Sequence, residues 1–94
     1  MRQLDRHGSA NAMEFRETVK PFILDNFLFT DDATAVADDT PLIRGGIVDS
    51  TGILELIEFL EATYGIHVPA EEMVPANFES IDTISAYLRR KTAR

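Results

Sequence analysis

Apolar side chains recur at helical spacing in three stretches of the chain, each long enough to form a helix. The stretches cover residues 13–29, 50–64 and 81–91. A shorter apolar piece at 75–78 predicts a helix of a turn or two, and no stretch alternates with the period of a β-strand. The pattern therefore predicts an all-α fold, a small four-helix bundle made of three main helices and one short helix.

The first predicted helix contains Pro21 in its interior, where the ring removes one backbone hydrogen bond and crowds the preceding turn. We therefore expect either a kink at Pro21 or a helix that begins properly near Lys20. One side of this helix forms a stripe at 3.6-residue spacing, which is apolar apart from its last member: Phe15, Val19, Phe22, Ile23 and Asn26.

A long loop over residues 30–49 is predicted between the first two helices, because this stretch is rich in Asp, Gly and Pro. Loops of about 20 residues are uncommon in small domains, and they are usually functional or mobile. Four apolar side chains are expected to pin the loop to the core: Leu42, Ile43, Ile47 and Val48.

The second predicted helix, residues 50–64, divides into two faces and ends at Gly65. Phe59 lies between the faces and is expected to pack on the first helix or the loop. The apolar face holds Ile53, Leu56, Ile57, Leu60 and Tyr64, and the other face holds Leu54, Glu55, Glu58 and Glu61.

The last predicted helix begins after Ser80, which is expected to cap it. Acidic residues lie at its start and basic residues at its end, as the helix dipole favours. Its apolar side holds Ile81, Ile84, Tyr87 and Leu88.

The length of 94 residues fits one small domain. We assign residues 13–92 to that domain and residues 1–12, which lack periodicity, to a disordered tail. The sequence has no cysteine, which excludes disulfides, thiolate metal sites and a thiol nucleophile. It has no apolar run long enough to span a membrane and no secretory signal pattern, so a cytoplasmic monomer is expected.

The net charge of −7 is concentrated in the middle of the chain. Residues 30–75 contain ten acidic side chains and one basic side chain, Arg44, whereas the two ends are neutral or slightly basic. Such a segment repels phosphate backbones, so nucleic acid is a poor partner, and it attracts basic protein surfaces. The same acidic side chains also fit a simple solvated face.

The segment Gly46-Ile47-Val48-Asp49-Ser50 resembles the attachment motif of the acyl carrier protein family, which includes peptidyl carrier domains. The resemblance extends over residues 13–91, through the acidic second helix and the Asn77–Ile81 lead into the last helix. It implies a carrier protein domain in which Ser50, preceded by Asp49, bears a 4′-phosphopantetheine arm. It further implies that acyl or aminoacyl groups are held on the arm as thioesters, and that the carrier has no catalytic activity of its own.

The resemblance also implies partners for the second helix. These are a phosphopantetheinyl transferase, an acyl- or aminoacyl-activating ligase, and acyl-processing enzymes with basic docking patches. Thr51 stands where family members usually carry a large apolar residue that contacts those enzymes. The residues expected to dock are Thr51, Leu54, Glu55, Glu58 and Glu61.

Other interpretations remain open from the residues alone. Ser50 could simply cap the second helix, and the chain could be an unmodified acidic adaptor or a peptidyl carrier of a nonribosomal-peptide-type pathway. An enzyme with a triad of Ser50, His67 and Asp49 is a weak alternative, because Val48 stands where a nucleophile elbow needs glycine. The acidic residues lack the spacing of an EF-hand, so no metal site is predicted.

Overall fold

The computed structural model of the chain describes residues 12–93. Within this range there are four α-helices and no strand, which confirms the predicted all-α fold. The helices are α1 (Ala12–Ile23), α2 (Ser50–Tyr64), α3 (Pro75–Phe78) and α4 (Ile81–Thr92). None of the helices in residues 12–93 is long and apolar enough to cross a membrane. The tail predicted over residues 1–12 lies outside the described residues, except for Ala12 at the start of α1.

The first helix accommodates Pro21 and continues to Ile23, so the predicted start near Lys20 is wrong. A π-helical turn, Leu24–Leu28, follows directly, and Phe29 ends it in the left-handed conformation. Pro21 has no N–H to donate to the Glu17 carbonyl, so α1 passes through it with one backbone hydrogen bond missing. The periodicity also misplaced Asn26, which is exposed and donates its Nδ2 to the Phe22 carbonyl at 2.9 Å.

The long loop between α1 and α2 is held to the helices at several points. Val36, Leu42 and Val48 are buried, and Ile43 and Ile47 pack against the core, so all four predicted anchors contribute. The Leu42 N–H donates to the Glu79 carbonyl at 2.6 Å, and the Asp82 N–H donates to the Asp38 carbonyl at 2.9 Å. The loop, which leads into α2, is therefore attached by backbone hydrogen bonds to the start of α4.

The ends of the helices follow the sequence closely. Gly65 lies in the left-handed region, with φ of 66°, and its N–H donates to the Glu61 carbonyl at 2.9 Å, as a helix-ending glycine should. Ser80 caps α4 by accepting from the Thr83 N–H, and the Thr83 hydroxyl accepts from the Ser80 N–H in return. This reciprocal capping box confirms the predicted role of Ser80.

The core lies where α1 packs against α4, with α2 and α3 completing it. All four predicted apolar positions of α4 are buried, as are Phe15, Val19 and Ile23 of α1. Phe59 of α2 stacks on Phe22 with ring centroids 4.1 Å apart. It therefore packs on the first helix, one of the two locations predicted for it. This arrangement leaves the start of α2 at the surface.

Candidate functional site

The first turn of α2 presents Ser50 to solvent. Asp49 has extended backbone geometry, and its side chain accepts from the Gly52 N–H at 2.7 Å, so Asp49 is the residue that caps α2. Ser50 is the first residue inside the helix, and among residues 12–93 its exposed hydroxyl has no hydrogen-bond partner. The alternative in which Ser50 merely caps the helix is therefore wrong, and its hydroxyl is left available for another role.

The same turn suits an anion. No described residue accepts a hydrogen bond from the backbone N–H of Ser50 or Thr51, as is usual for the first residues of a helix. The positive end of the helix dipole also lies here. A phosphodiester carried by Ser50 would meet free N–H donors and a favourable field without any basic side chain.

An apolar cavity opens beside Ser50. Its volume is about 350 Å³, and Asp49 and Ser50 form part of its lining. The two residues adjoin apolar side chains from the loop, from α2 and from the segment before α3: Ile43, Val48, Ile53, Met73, Val74 and Phe78. Met73 and Val74 are each 39% exposed. The cavity can accept an apolar group of modest size that is attached next to Ser50.

A polar cluster holds Glu72, the residue directly before Met73 and Val74 in the chain. The Tyr87 hydroxyl donates to Glu72 Oε1 at 2.6 Å, and Lys91 Nζ lies 3.1 Å from the same oxygen. These two contacts lower the pKa of the Glu72 carboxyl below its ordinary value. Burial, together with the hydrogen bond to Glu72, raises the pKa of the Tyr87 hydroxyl. The cluster ties the short turn Ala70–Glu72 to α4.

The predicted docking residues divide into two groups in the structure. Thr51, Leu54, Glu55 and Glu58 are exposed on α2, and Leu54 has 53% of its surface accessible. No ion pair within residues 12–93 involves Glu55 or Glu58. These four residues, together called the α2 outer face below, are open to a partner.

Glu61 has a contact of its own inside the fold. Its Oε2 accepts from the Val68 N–H at 2.9 Å and lies 3.6 Å from Nδ1 of His67. The carboxylate thus holds the chain after α2, which makes Glu61 less available to a partner than Glu55 or Glu58. His67 itself stands at the far end of α2 from Ser50, about 20 Å away along a 15-residue helix. The structure therefore does not assemble the triad of Ser50, His67 and Asp49.

Sequence reasoning missed the cavity wall at Met73 and Val74 and the role of Phe27, which packs against Gly52 in the first turn of α2. Two apolar residues between short turns, at 73 and 74, were the available signal for the wall. The contact between residues 27 and 52 had no local signal, because it joins segments that are distant in sequence.

Comparison with known proteins gave two curated relatives. Over 54 residues the chain is 35% identical to the "Probable acyl carrier protein PigG" of a Serratia strain, a match that covers 57% of this chain and 62% of that protein. Over 60 residues it is 37% identical to the "D-alanyl carrier protein" of Streptococcus suis, covering 64% of this chain and 72% of that protein. The chain thus spans less than two thirds of the first relative's length. No family model matches the chain.

Among solved structures, the chain is similar to one chain of a structure described as "Crystal structure of FAD-dependent dehydrogenase". The TM-score is 0.61 and the sequence identity is 26%, and the match covers 79% of this chain and 97% of that chain. The two chains share their fold over nearly the whole length of the smaller one.

Proposed function

Because this chain belongs to the acyl carrier protein family, we propose that Ser50 is its attachment site for 4′-phosphopantetheine and that it carries acyl or aminoacyl groups between enzymes. Family membership rests on the two carrier relatives. The observation that supports Ser50 is its place in the structure. It is the exposed first residue of α2, with an unpartnered hydroxyl beside free N–H groups and an apolar cavity. When attached, the arm supplies a terminal thiol on which cargo is held as a thioester.

The residues around Ser50 fit such a group without performing chemistry themselves. Asp49 keeps the first turn of α2 formed by capping it, and the unpaired N–H groups of that turn stabilise a phosphodiester charge. No general base is needed near Ser50, because the transferase activates the serine hydroxyl. The hydroxyl attacks the pyrophosphate of coenzyme A, takes the phosphopantetheine and displaces adenosine 3′,5′-bisphosphate. The site therefore presents Ser50 and its attached group to other enzymes, and we propose that the chain has no catalytic activity of its own.

The apolar cavity beside Ser50 suits cargo or part of the arm. Its volume of about 350 Å³ can take an acyl or aminoacyl group of modest size. One relative is named an acyl carrier and the other a D-alanyl carrier, so both classes of cargo are candidates. Shelter in the cavity would protect such a group from water between partners.

The α2 outer face is the proposed docking surface. Glu55 and Glu58 are exposed negative charges, and Leu54 offers an apolar contact between them and Ser50. Charges at the edge of an interface mainly raise the association rate and make it sensitive to salt, which suits a carrier that must also release its partners. We propose that the transferase, an activating ligase and processing enzymes bind here through Lys and Arg. The cytoplasm is the compartment we propose.

The attachment site can be tested by intact-protein mass spectrometry after incubation with coenzyme A and a broad-specificity phosphopantetheinyl transferase. Wild-type protein should gain the mass of one phosphopantetheine, and Ser50→Ala should gain none. Thr63→Ala is the matched control, because it removes an exposed hydroxyl near the other end of α2, outside the α2 outer face, and should be modified as wild type is. A wild-type chain that stays unmodified, or a Ser50→Ala chain that is modified, would refute the proposal.

A further inference from the structure

Gly52 is buried in the first turn of α2 because the ring of Phe27 occupies the space where a side chain would begin. A Cβ at this position would lie 2.7 Å from Phe27 Cε1, closer than such carbons approach each other. It would also lie 3.1 Å from Asp49 Oδ1 and 3.3 Å from Val48 Cγ1. Three groups thus converge on Gly52, two residues after Ser50, and each lies in or against the turn that carries the serine.

Phe27 is presented to this point by the π-helical turn at the end of α1. A π turn holds more residues than an α-helical turn, so it changes the direction in which the following side chains project. The Phe27 ring meets Phe22 edge-on with centroids 5.9 Å apart, and Phe22 stacks on Phe59. An aromatic column therefore runs from the middle of α2, across the end of α1, and back to the first turn of α2.

We propose that Phe27 is a positioning residue for the modification of Ser50. Its ring, seated on Gly52, holds the first turn of α2 and the Asp49 cap in the orientation that presents the serine hydroxyl to the transferase. This inference rests on the proposed function, since it assumes that Ser50 is modified. The column gives the first turn a rigid backing that an exposed helix end would otherwise lack, because helix ends fray.

The contact predicts how a methyl group at position 52 would act. Gly52→Ala must displace the Phe27 ring or the Asp49 carboxylate. Because the ring is packed against Phe22, the turn that bears Ser50 has to yield. A displacement of about 1 Å at a reacting group can lower a rate by about 100-fold. The α2 outer face takes no part in the contact, so the binding of the transferase should be nearly unchanged. The expected signature is therefore a loss of kcat with little change in KM.

The test compares kcat and KM for phosphopantetheine transfer to wild type, Gly52→Ala, Phe27→Leu and the double variant, using coenzyme A and one transferase. Gly52→Ala should lower kcat by about tenfold or more and leave KM within about twofold. Phe27→Leu removes the ring edge that meets the new methyl. Phe27→Leu alone should also lower kcat, because the ring no longer supports the turn. In the double variant the new methyl group fills the space that the ring edge leaves, so its kcat should lie above that of Gly52→Ala.

The matched control is Ile84→Val, a conservative change in the core of α4 that costs stability without touching α2's first turn. Wild-type kcat in Gly52→Ala, an equal loss in Ile84→Val, or a double variant that recovers nothing would overturn the inference. If Gly52→Ala does not fold, the measurement on Phe27→Leu decides whether the inference holds. The inference requires that this variant lower kcat and leave KM unchanged. Absence of transfer to the wild-type chain would instead refute the assignment of Ser50, and this inference with it.

Discussion

The two neighbouring residues at the start of α2 should respond to substitution in opposite ways. Asp49 Oδ1 accepts from the Gly52 N–H at 2.7 Å, whereas the Ser50 hydroxyl has no partner within residues 12–93. Replacing a capping residue by alanine costs about 1 kcal/mol of stability. For a domain of this size, that loss lowers the thermal midpoint by about 4–8 °C. Ser50→Ala removes no hydrogen bond, and alanine favours helix slightly more than serine, so its midpoint should not fall.

Thermal unfolding followed by circular dichroism at 222 nm measures both effects on unmodified protein. Asp49→Asn is the control, because asparagine caps helices as well as aspartate does and should keep the midpoint near that of wild type. Equal losses in Ser50→Ala and Asp49→Ala would show that the serine contributes to the cap. A loss in Asp49→Asn as large as in Asp49→Ala would show that the charge, and not the hydrogen bond, stabilises the turn.

Three further predictions concern other parts of the molecule. The hydrogen bond from Tyr87 lowers the pKa of Glu72, so the ionised carboxylate stabilises the fold above its unfolded pKa of about 4.5, and this stability is lost as the pH falls through the lowered value. Tyr87→Phe should therefore flatten the acid side of a curve of unfolding free energy against pH, and an unchanged slope would contradict this. Gly65→Ala, at a φ of 66° with open space around it, should cost about 1 kcal/mol in urea unfolding through backbone strain alone, and a neutral result would contradict that. Glu55→Lys with Glu58→Lys should raise the KM of the transferase at low salt, converge with wild type at high salt and leave the thermal midpoint unchanged; a salt-independent effect would argue against docking by charge.

The helices could be predicted from the sequence because the features that define them involve residues close together in the chain. Periodicity reports which side of a helix is apolar, and the four apolar positions predicted for α4 are all buried. Gly65 and Ser80 mark helix ends through backbone conformation and capping bonds that involve only near neighbours. The same approach failed at Asn26, because the π-helical turn after Ile23 changes the spacing on which the pattern depends.

The candidate site combines both kinds of information. The Asp49-Ser50 pair and the acidic α2 could be recognised in the sequence, and the structure divides their roles between a cap and an exposed hydroxyl. Glu61 follows Glu58 by three residues on α2, yet its carboxylate accepts a hydrogen bond from the backbone N–H of Val68. A helical pattern places both residues on one face, but it does not show what the following segment brings near that face.

The sequence by itself determined the resemblance to the family and the four helices, and it singled out Ser50 as the serine that we propose carries the prosthetic group. Those properties depend on residue types at short spacings, which a linear pattern records. Only the tertiary structure decided that Asp49 caps α2, that Met73 and Val74 wall a cavity beside Ser50, and that Phe27 lies on Gly52. The last two features bring together residues more than 20 positions apart, and such approaches depend on how whole helices pack against one another.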